Sequence, residues 1–187
     1  MPTKDRLIRT AAELFRRSGY NGVGLNELLT AANAPKGSLY HHFPNGKPDL
    51  ALAAATWASD RMLRMIAVAY EPASSFAEGT QALCARLAEI FDRSGKWDGC
   101  PISSTLFEGP DNEAFRSHAA HLYEGWISEA TQHAKRLGVK TPQATAEEFF
   151  MLIQGAWQLS RARRSSAPLR ALPTIVRRGV GTGDGNS

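Results

Sequence analysis

Ala31-Ala32-Asn33-Ala34-Pro35-Lys36-Gly37-Ser38-Leu39-Tyr40-His41-His42-Phe43 is the stretch on which the reading of the fold depends. Behind it, Leu25, Leu28, Leu29 and Ala32 recur at i, i+3, i+4 and i+7, one face of a short helix. Asn33 tolerates the left-handed conformation, so the chain can turn sharply there. Pro35 suits the first turn of a second helix, where a missing N–H is no loss. On that second helix Pro35, Leu39, His42 and Phe43 fall on one side. Lys36, Gly37, Tyr40 and His41 fall on the other, with Ser38 at the margin.

An apolar rear and a front of Lys, Ser, Tyr and His suit a DNA major groove. Lysine neutralises phosphate or contacts guanine, hydroxyls and imidazoles donate to phosphate oxygens, and Gly37 lets the backbone approach the duplex. Two helices joined by a tight turn form a helix-turn-helix unit. The pattern by itself equally allows Tyr40 and Phe43 as core aromatics and the two histidines as caps of a surface helix.

The run Leu39-Tyr40-His41-His42-Phe43-Pro44, followed by Lys47 and Leu50, resembles the DNA-binding signature of the TetR/AcrR family of bacterial transcriptional regulators, and the resemblance extends from about Lys4 to Leu50. It implies an N-terminal three-helix DNA-binding domain, a C-terminal helical ligand-binding and dimerisation domain, and a phosphate contact at Lys47. The candidate DNA contacts are Lys36, Gly37, Ser38, Tyr40, His41, His42 and Lys47. Gly19-Tyr20 matches the Gly-Tyr pair that in the family packs the first helix onto the helix-turn-helix. Two departures stand out. Val23 and Gly24 replace the usual capping Thr or Ser, leaving Asn26 as the nearest substitute, since a Gly cap brings no side-chain oxygen. Asn33-Ala34 replaces the usual Gly-Val; the smaller Ala34 costs on the order of 1 kcal/mol of core packing.

The 187 residues carry a formal charge of +4. That length is enough for one substantial core, or for a small domain joined to a larger one. The basic excess is compatible with nucleic acid but is spread along the chain. Arg6, Arg9, Arg16 and Arg17 lie on the first helix, beside the proposed reading head. Arg161, Arg163, Arg164, Arg170, Arg177 and Arg178 lie near the end and read as a solvated surface. Cys84 and Cys100 show neither metal-ligand spacing nor a disulfide framework. Met1 to Thr10 is too polar for a signal peptide, and no apolar run is long enough to cross a bilayer, so a soluble, cytoplasmic protein is expected.

In chain order, Lys4–Ser18 reads as a helix with Leu7, Ala11, Leu14 and Phe15 buried, ended by Gly19. A long helix runs from Lys47 to about Tyr70, the natural lever between head and sensor, until Glu71-Pro72 breaks it. Ser75 and Glu78 form a capping box for a helix to Ser94, with Leu83, Leu87, Ile90 and Phe91 buried. Gly99-Cys100-Pro101 precedes a short apolar helix from Ile102 to Glu108. This opening resembles the ligand-domain wording of a TetR branch that includes repressors answering to antibiotics and flavonoids. Asn112 or Asp111 caps a helix from Glu113 to Leu137. His118 and His121 stand i, i+3 on it, but no Cys or Asp shares their face, so no metal is expected. Thr141-Pro142 is an N-cap and N1 pair, and the helix beyond carries Phe149, Ile153, Ala156, Trp157 and Ser160 on one stripe. Gly155 interrupts that helix at roughly 1 kcal/mol, for which close helix approach is a reason. Gln154-Gly155-Ala156 falls where many relatives have Glu-Gly-Ala on a dimer-forming helix. A last short helix runs from Pro168 to about Val176, strained by Pro173, before a glycine-rich tail.

The expectation is thus an all-α chain of about nine helices. Residues 1–46 form the helix-turn-helix domain, 47–178 the ligand-binding and dimerisation domain, and 179–187 a flexible tail. There is no phosphate-cradling loop, nucleophile elbow or paired acid/base carboxylate, so neither an enzyme nor a cofactor is expected. Met65, Phe91, Phe107, Trp126, Phe149 and Trp157 are candidate walls of a cavity for a small apolar effector. Each serves equally well as plain core. The function expected is a homodimeric, ligand-responsive regulator of a palindromic double-stranded operator, most simply a repressor, with no membrane partner. The alternatives are a small-molecule-binding helical protein without operator specificity, and a helical-bundle enzyme, for which no polar cluster is visible.

Overall fold

The computed structural model describes residues 1–107 and 113–180, of which 178–180 by backbone alone. Among the described residues there are nine helices and no strand: α1 (Thr3–Ser18), α2 (Leu25–Ala31), α3 (Lys36–His42), α4 (Lys47–Tyr70), α5 (Phe76–Arg93), α6 (Ser103–Leu106), α7 (Glu113–Arg136), α8 (Pro142–Arg163) and α9 (Ala167–Val180). Two compact units share them. The first comprises residues 1–62 and 99–124, the second residues 63–98 and 125–187, so that α4 and α7 each begin in the first and end in the second.

In the first unit α1 is the central helix. It packs on α2, α3 and α6 through Leu7, Ala11, Ala12 and Phe15. Leu14, expected in this stripe, is half-buried. Gly19 stops the helix in a left-handed turn at φ 74°, its N–H donating to the Phe15 carbonyl. Gly24 caps α2 without a side chain. No side-chain oxygen accepts from the first turn of α2 at this cap; Glu27 at N3 reaches back instead, its carboxylate accepting the Gly24 N–H at 3.4 Å. Asn33 adopts φ 47°, as the tight turn requires. The 99–107 segment belongs to this unit too: Gly99 N–H donates to Arg16 O, and Tyr20 N–H to Ser104 O. α6 ends at Leu106, so Phe107 stands outside it and is 57 % exposed. The expected caps Asp111 and Asn112 and the expected helix end at Glu108 lie outside the described residues.

The second unit is built on a run of rings. His133 stacks on Tyr70 at 5.5 Å, Tyr70 meets Phe76 at 5.0 Å, Phe76 meets Phe149 at 6.1 Å, Phe149 meets Phe150 at 5.6 Å, and Phe150 meets Trp126 at 6.0 Å. Such pairs add about 0.5–1.5 kcal/mol each beyond the area they bury. Tyr70 is its hub. Its hydroxyl shares a 2.9 Å hydrogen bond with Thr80, and its carbonyl accepts from Arg136 at 2.6 Å, closing the end of α4. Burial pushes the Tyr70 phenol up and the Cys84 thiol up to about 12, so both stay neutral at physiological pH.

α5 begins at the expected Ser75 cap, which accepts the Glu78 N–H at 3.2 Å, but Glu78 reaches back to Ser74 instead of Ser75. Thr141 precedes α8 without a side-chain cap bond. α9 is longer than expected, running 14 residues through Pro173. An interior proline costs roughly 3 kcal/mol. Here Leu169, Leu172, Pro173 and Val176 form one buried stripe where α9 packs on α5 and α8. Each buried aliphatic returns about 1.5–3 kcal/mol, so packing outweighs the local break.

Asp92 on α5 fastens the start of α9, accepting from Arg170 at 3.0 Å and from Ser166 at 2.9 Å. The Arg170 hydrogen bond, then that of Ser166, hold the Asp92 carboxyl below its usual range. A depressed carboxyl contributes stability that is full above its unfolded pKa, about 3.9, and is lost as the pH falls through the lower folded value. Asp92→Asn should therefore be less stable than wild type at neutral pH, with the gap closing on acidification. Thermal melts of both proteins across that pH range check it; a gap that stays constant contradicts it.

Candidate nucleic-acid interface

α3 carries the candidate reading face, and its amphipathic split decides what it offers. Leu39 is fully buried and Phe43 nearly so, fixing the rear of the helix in the three-helix core. Lys36, Gly37, Tyr40 and His41 are exposed, Tyr40 to 45 %. Ser38 and His42 are half-buried, and the His42 ring sits edge-on to His41 at 4.8 Å. Pro35 departs from the periodicity. It is exposed, with φ −71° and ψ 150°, and caps the helix from outside its first turn. The exposed surface is therefore one ammonium, a phenol, imidazoles and bare backbone at Gly37, all donors or permissive of close approach.

Two devices hold this face in place. Gly46, buried at φ +74°, turns the chain so closely under Tyr40 that a methyl group there would lie 3.1 Å from the ring. The Asp49 carboxylate braces the same turn by accepting from the Asn45 backbone N–H at 2.9 Å and its side-chain amide at 3.1 Å. On the other side Arg6 reaches across from α1. Its guanidinium donates to Ala32 O at 3.2 Å and Asn33 O at 3.1 Å, gripping the turn between α2 and α3. A planar fork with five donors is suited to two neighbouring carbonyls.

Lys47 opens α4, the long helix near whose start the sequence placed it. Its ammonium is half-buried and donates to Tyr20 O at 2.6 Å, lying 4.1 Å from the centre of the Tyr20 ring.

The aromatic candidates divide between the units. Phe91, Trp126, Phe149 and Trp157 are buried in the second, where Met65 is half-buried. Phe107 belongs to the first, paired with Tyr123 at 6.3 Å. His118 turns its Nε2 to Thr56 Oγ1 at 2.8 Å, and burial holds its imidazole below the usual histidine range. Among the described residues no three His, Cys, Asp or Glu side chains gather as a metal site, and no helix is long and apolar enough to cross a membrane.

Comparison with known proteins places this architecture. Residues 7–54 match the bacterial regulatory proteins of the tetR family, and residues 77–174, more than half the chain, match the C-terminal domain of LmrA/YxaF-like transcriptional regulators. The chain belongs to the TetR family. HTH-type transcriptional regulator LmrA of Bacillus subtilis (strain 168) is 29% identical over 177 residues, spanning 93% of this chain and 94% of its own. Transcriptional regulator AcuR of Cereibacter sphaeroides is 30% identical over 174 residues, 88% of this chain and 79% of its own. A crystal structure of a regulatory protein TetR from Rhodobacter sphaeroides superposes with a TM-score of 0.81 at 26% identity, covering 93% of this chain and 96% of that one.

As a TetR-family member the protein is a DNA-binding transcriptional regulator, not an enzyme. All seven candidate DNA contacts fall within the N-terminal TetR match. Five of the six aromatic-pocket candidates fall within the C-terminal one, and Met65 lies between the two. Sequence reasoning missed the roles of Glu27 and Tyr70, and placed Arg6 beside the reading head without its partners Ala32 and Asn33. Glu27 was legible as the N3 position after a glycine cap. Arg6 and Tyr70 act through partners far along the chain and carry no local signal.

Proposed function

We propose that this TetR-family protein is a ligand-responsive repressor that binds a palindromic operator as a homodimer and lets go when a small, largely apolar effector binds. The observation that carries the reading is the division of α3: Leu39 and Phe43 buried, Lys36, Gly37, Tyr40 and His41 exposed. In this reading residues 1–46 supply the DNA reader, with Ser38 and His42 at the edge of the contact. Residues 47–178 supply effector binding and dimerisation, residues 179–187 a tail, and the protein works in the cytoplasm. The effector lies among Met65, Phe91, Trp126, Phe149 and Trp157, the large apolar side chains of the second unit.

Dimerisation is supported by α8. Met151, Leu152, Gly155 and Leu159 make an outward stripe, with Met151 67 % and Leu159 47 % exposed. A Cβ at Gly155 meets nothing within 4 Å of its own chain, so close approach inside the subunit does not account for this glycine. A second copy does, since small residues let helices approach closely. Two readers then require half-sites roughly 34 Å apart, or a multiple of that. An effector that shifts α4 changes the separation of the readers, and ~3 kcal/mol of differential binding releases DNA about 100-fold.

Selection of bound duplexes from a random pool tests this reading. A palindrome is expected to emerge, and Tyr40→Ala should weaken its gel shift about tenfold, the equivalent of ~1.4 kcal/mol. Binding that is uniform across sequences and falls steeply with salt would point instead to a small-molecule-binding protein without operator specificity.

A further inference from the structure

We propose that the corner of the second unit where α5 and α8 end is a surface site for a planar aromatic anion, with Trp97 as the stacking platform and Lys96, Arg163 and Arg164 as the charge. It is separate from the effector site proposed above among the buried rings.

Two helix ends meet at this corner, each followed by a cationic residue in a conformation that ordinarily falls to glycine. Arg164 caps α8 at φ 49° and ψ 43°, while the next N–H, that of Ser165, donates back to Ser160 O at 3.0 Å. Lys96 stands just past the end of α5 at φ 65°, its N–H donating to Phe91 O at 3.2 Å. A left-handed residue other than glycine costs roughly 1–2 kcal/mol. Among the described residues three carry that cost. Asn33 serves the turn before α3; the other two are Lys96 and Arg164, and both stand at Trp97. Lys96 is its neighbour in the chain, and the Arg164 guanidinium lies 4.9 Å from the centre of its ring, within cation–π range.

The acids of this corner leave the charge unspent. Glu89 pairs with Arg93 at 3.0 Å and Asp92 with Arg170 at 3.0 Å, and Asp98 is buried. Lys96, Arg163 and Arg164 are exposed, and among the described residues their side chains make no hydrogen bond or ion pair. Stacking engages only the flat face of the Arg164 guanidinium, so the donors in its plane stay open. Trp97 itself remains 48 % exposed, whereas Trp126 and Trp157 are buried. An open indole beside three uncommitted cations matches a ligand with one flat ring and one anionic group. The ring stacks on the indole or on the guanidinium plane, and the anion takes the donors. Nucleotides and aromatic carboxylates both have this chemistry.

Calorimetric titration of the full chain at low salt, with adenosine monophosphate and with benzoate, tests the site and tells the two sources apart. Adenosine and inorganic phosphate are the controls for the first probe, acetate for the second. Saturable binding of at least one aromatic anion is expected, about tenfold tighter than its controls. Trp97→Leu should weaken that binding about tenfold, the measure of one stacked ring. Lys96→Gln should weaken it about threefold, as loss of one exposed charge does, with the melting temperature unchanged. Three results overturn the proposal: no saturable binding of either aromatic anion, controls that bind as tightly as the probes, or equal binding by wild type and Trp97→Leu. A Trp97→Leu protein that melts lower yet binds no differently would make the stack a brace between helix ends and nothing more. No DNA enters the measurement, so its outcome is independent of the operator reading.

Discussion

Gly37→Leu is expected to bind operator at least 100-fold more weakly than wild type while melting at the same temperature or higher. Gly37 is the second residue of α3, exposed, and a Cβ built on it meets nothing within 4 Å in the chain. Nothing inside the protein requires glycine at this position. Glycine inside a helix gives up as much as ~1 kcal/mol relative to alanine, so a side chain here should leave stability unchanged or raise it. A leucine projecting from the reading face would hold the helix off the duplex. The groove contacts proposed for Lys36, Tyr40 and His41 would all be lengthened together, which accounts for a loss of about 3 kcal/mol. Fluorescence anisotropy at fixed salt and a thermal melt measure the two quantities side by side. Equal affinity for wild type and Gly37→Leu would mean that the first turn of α3 does not approach DNA.

Gly79→Ala is expected to destabilise the protein by about 3 kcal/mol, at the upper end of what overpacking does. A methyl at Gly79 would lie 2.2 Å from Cδ1 of Tyr70 and 2.6 Å from Cε1. The ring cannot step aside. Tyr70 is fully buried, with Phe76 and His133 against its ring, Thr80 on its hydroxyl and Arg136 on its carbonyl. For a chain of this length that loss corresponds to a fall in Tm of roughly 6–12 °C. Gly125→Ala is the control, because a Cβ there meets nothing within 4 Å and no positive φ holds the residue to glycine. It should be neutral or mildly stabilising. Equal melting temperatures for the two variants would show that the Tyr70 site yields more readily than its packing indicates.

The contrast between these glycines marks the boundary between what is local and what is not. Both stand in helices and both look alike in sequence; only the neighbours supplied by the fold put a ring against one and leave room for a side chain at the other. The same boundary runs through the whole chain. The helices α1 to α3 were legible nearly to the residue, because a 3.6-residue apolar repeat, a glycine stop and an Asn turn all act within a few residues of themselves. The exposed face of α3 followed from the same periodicity.

Where an end depended on packing, the sequence fell short. α9 continues through Pro173 because its stripe is buried against α5 and α8, a gain that local propensity does not contain. Phe107 belonged by pattern with the buried aromatics, but α6 ends one residue before it and leaves the ring exposed. Lysine 47 and arginine 6 were visible as charges near a reading head. Their partners, the carbonyls of Tyr20, Ala32 and Asn33, are 26 or 27 residues away. From its own residues the chain determined the helices, the amphipathic reading face and the family signature, since each depends on spacing within one or two turns. The tertiary structure alone decided which cations face inward, which glycines are sterically required and which aromatics share a core. A long side chain's target depends on where distant backbone lies, and no local repeat encodes that.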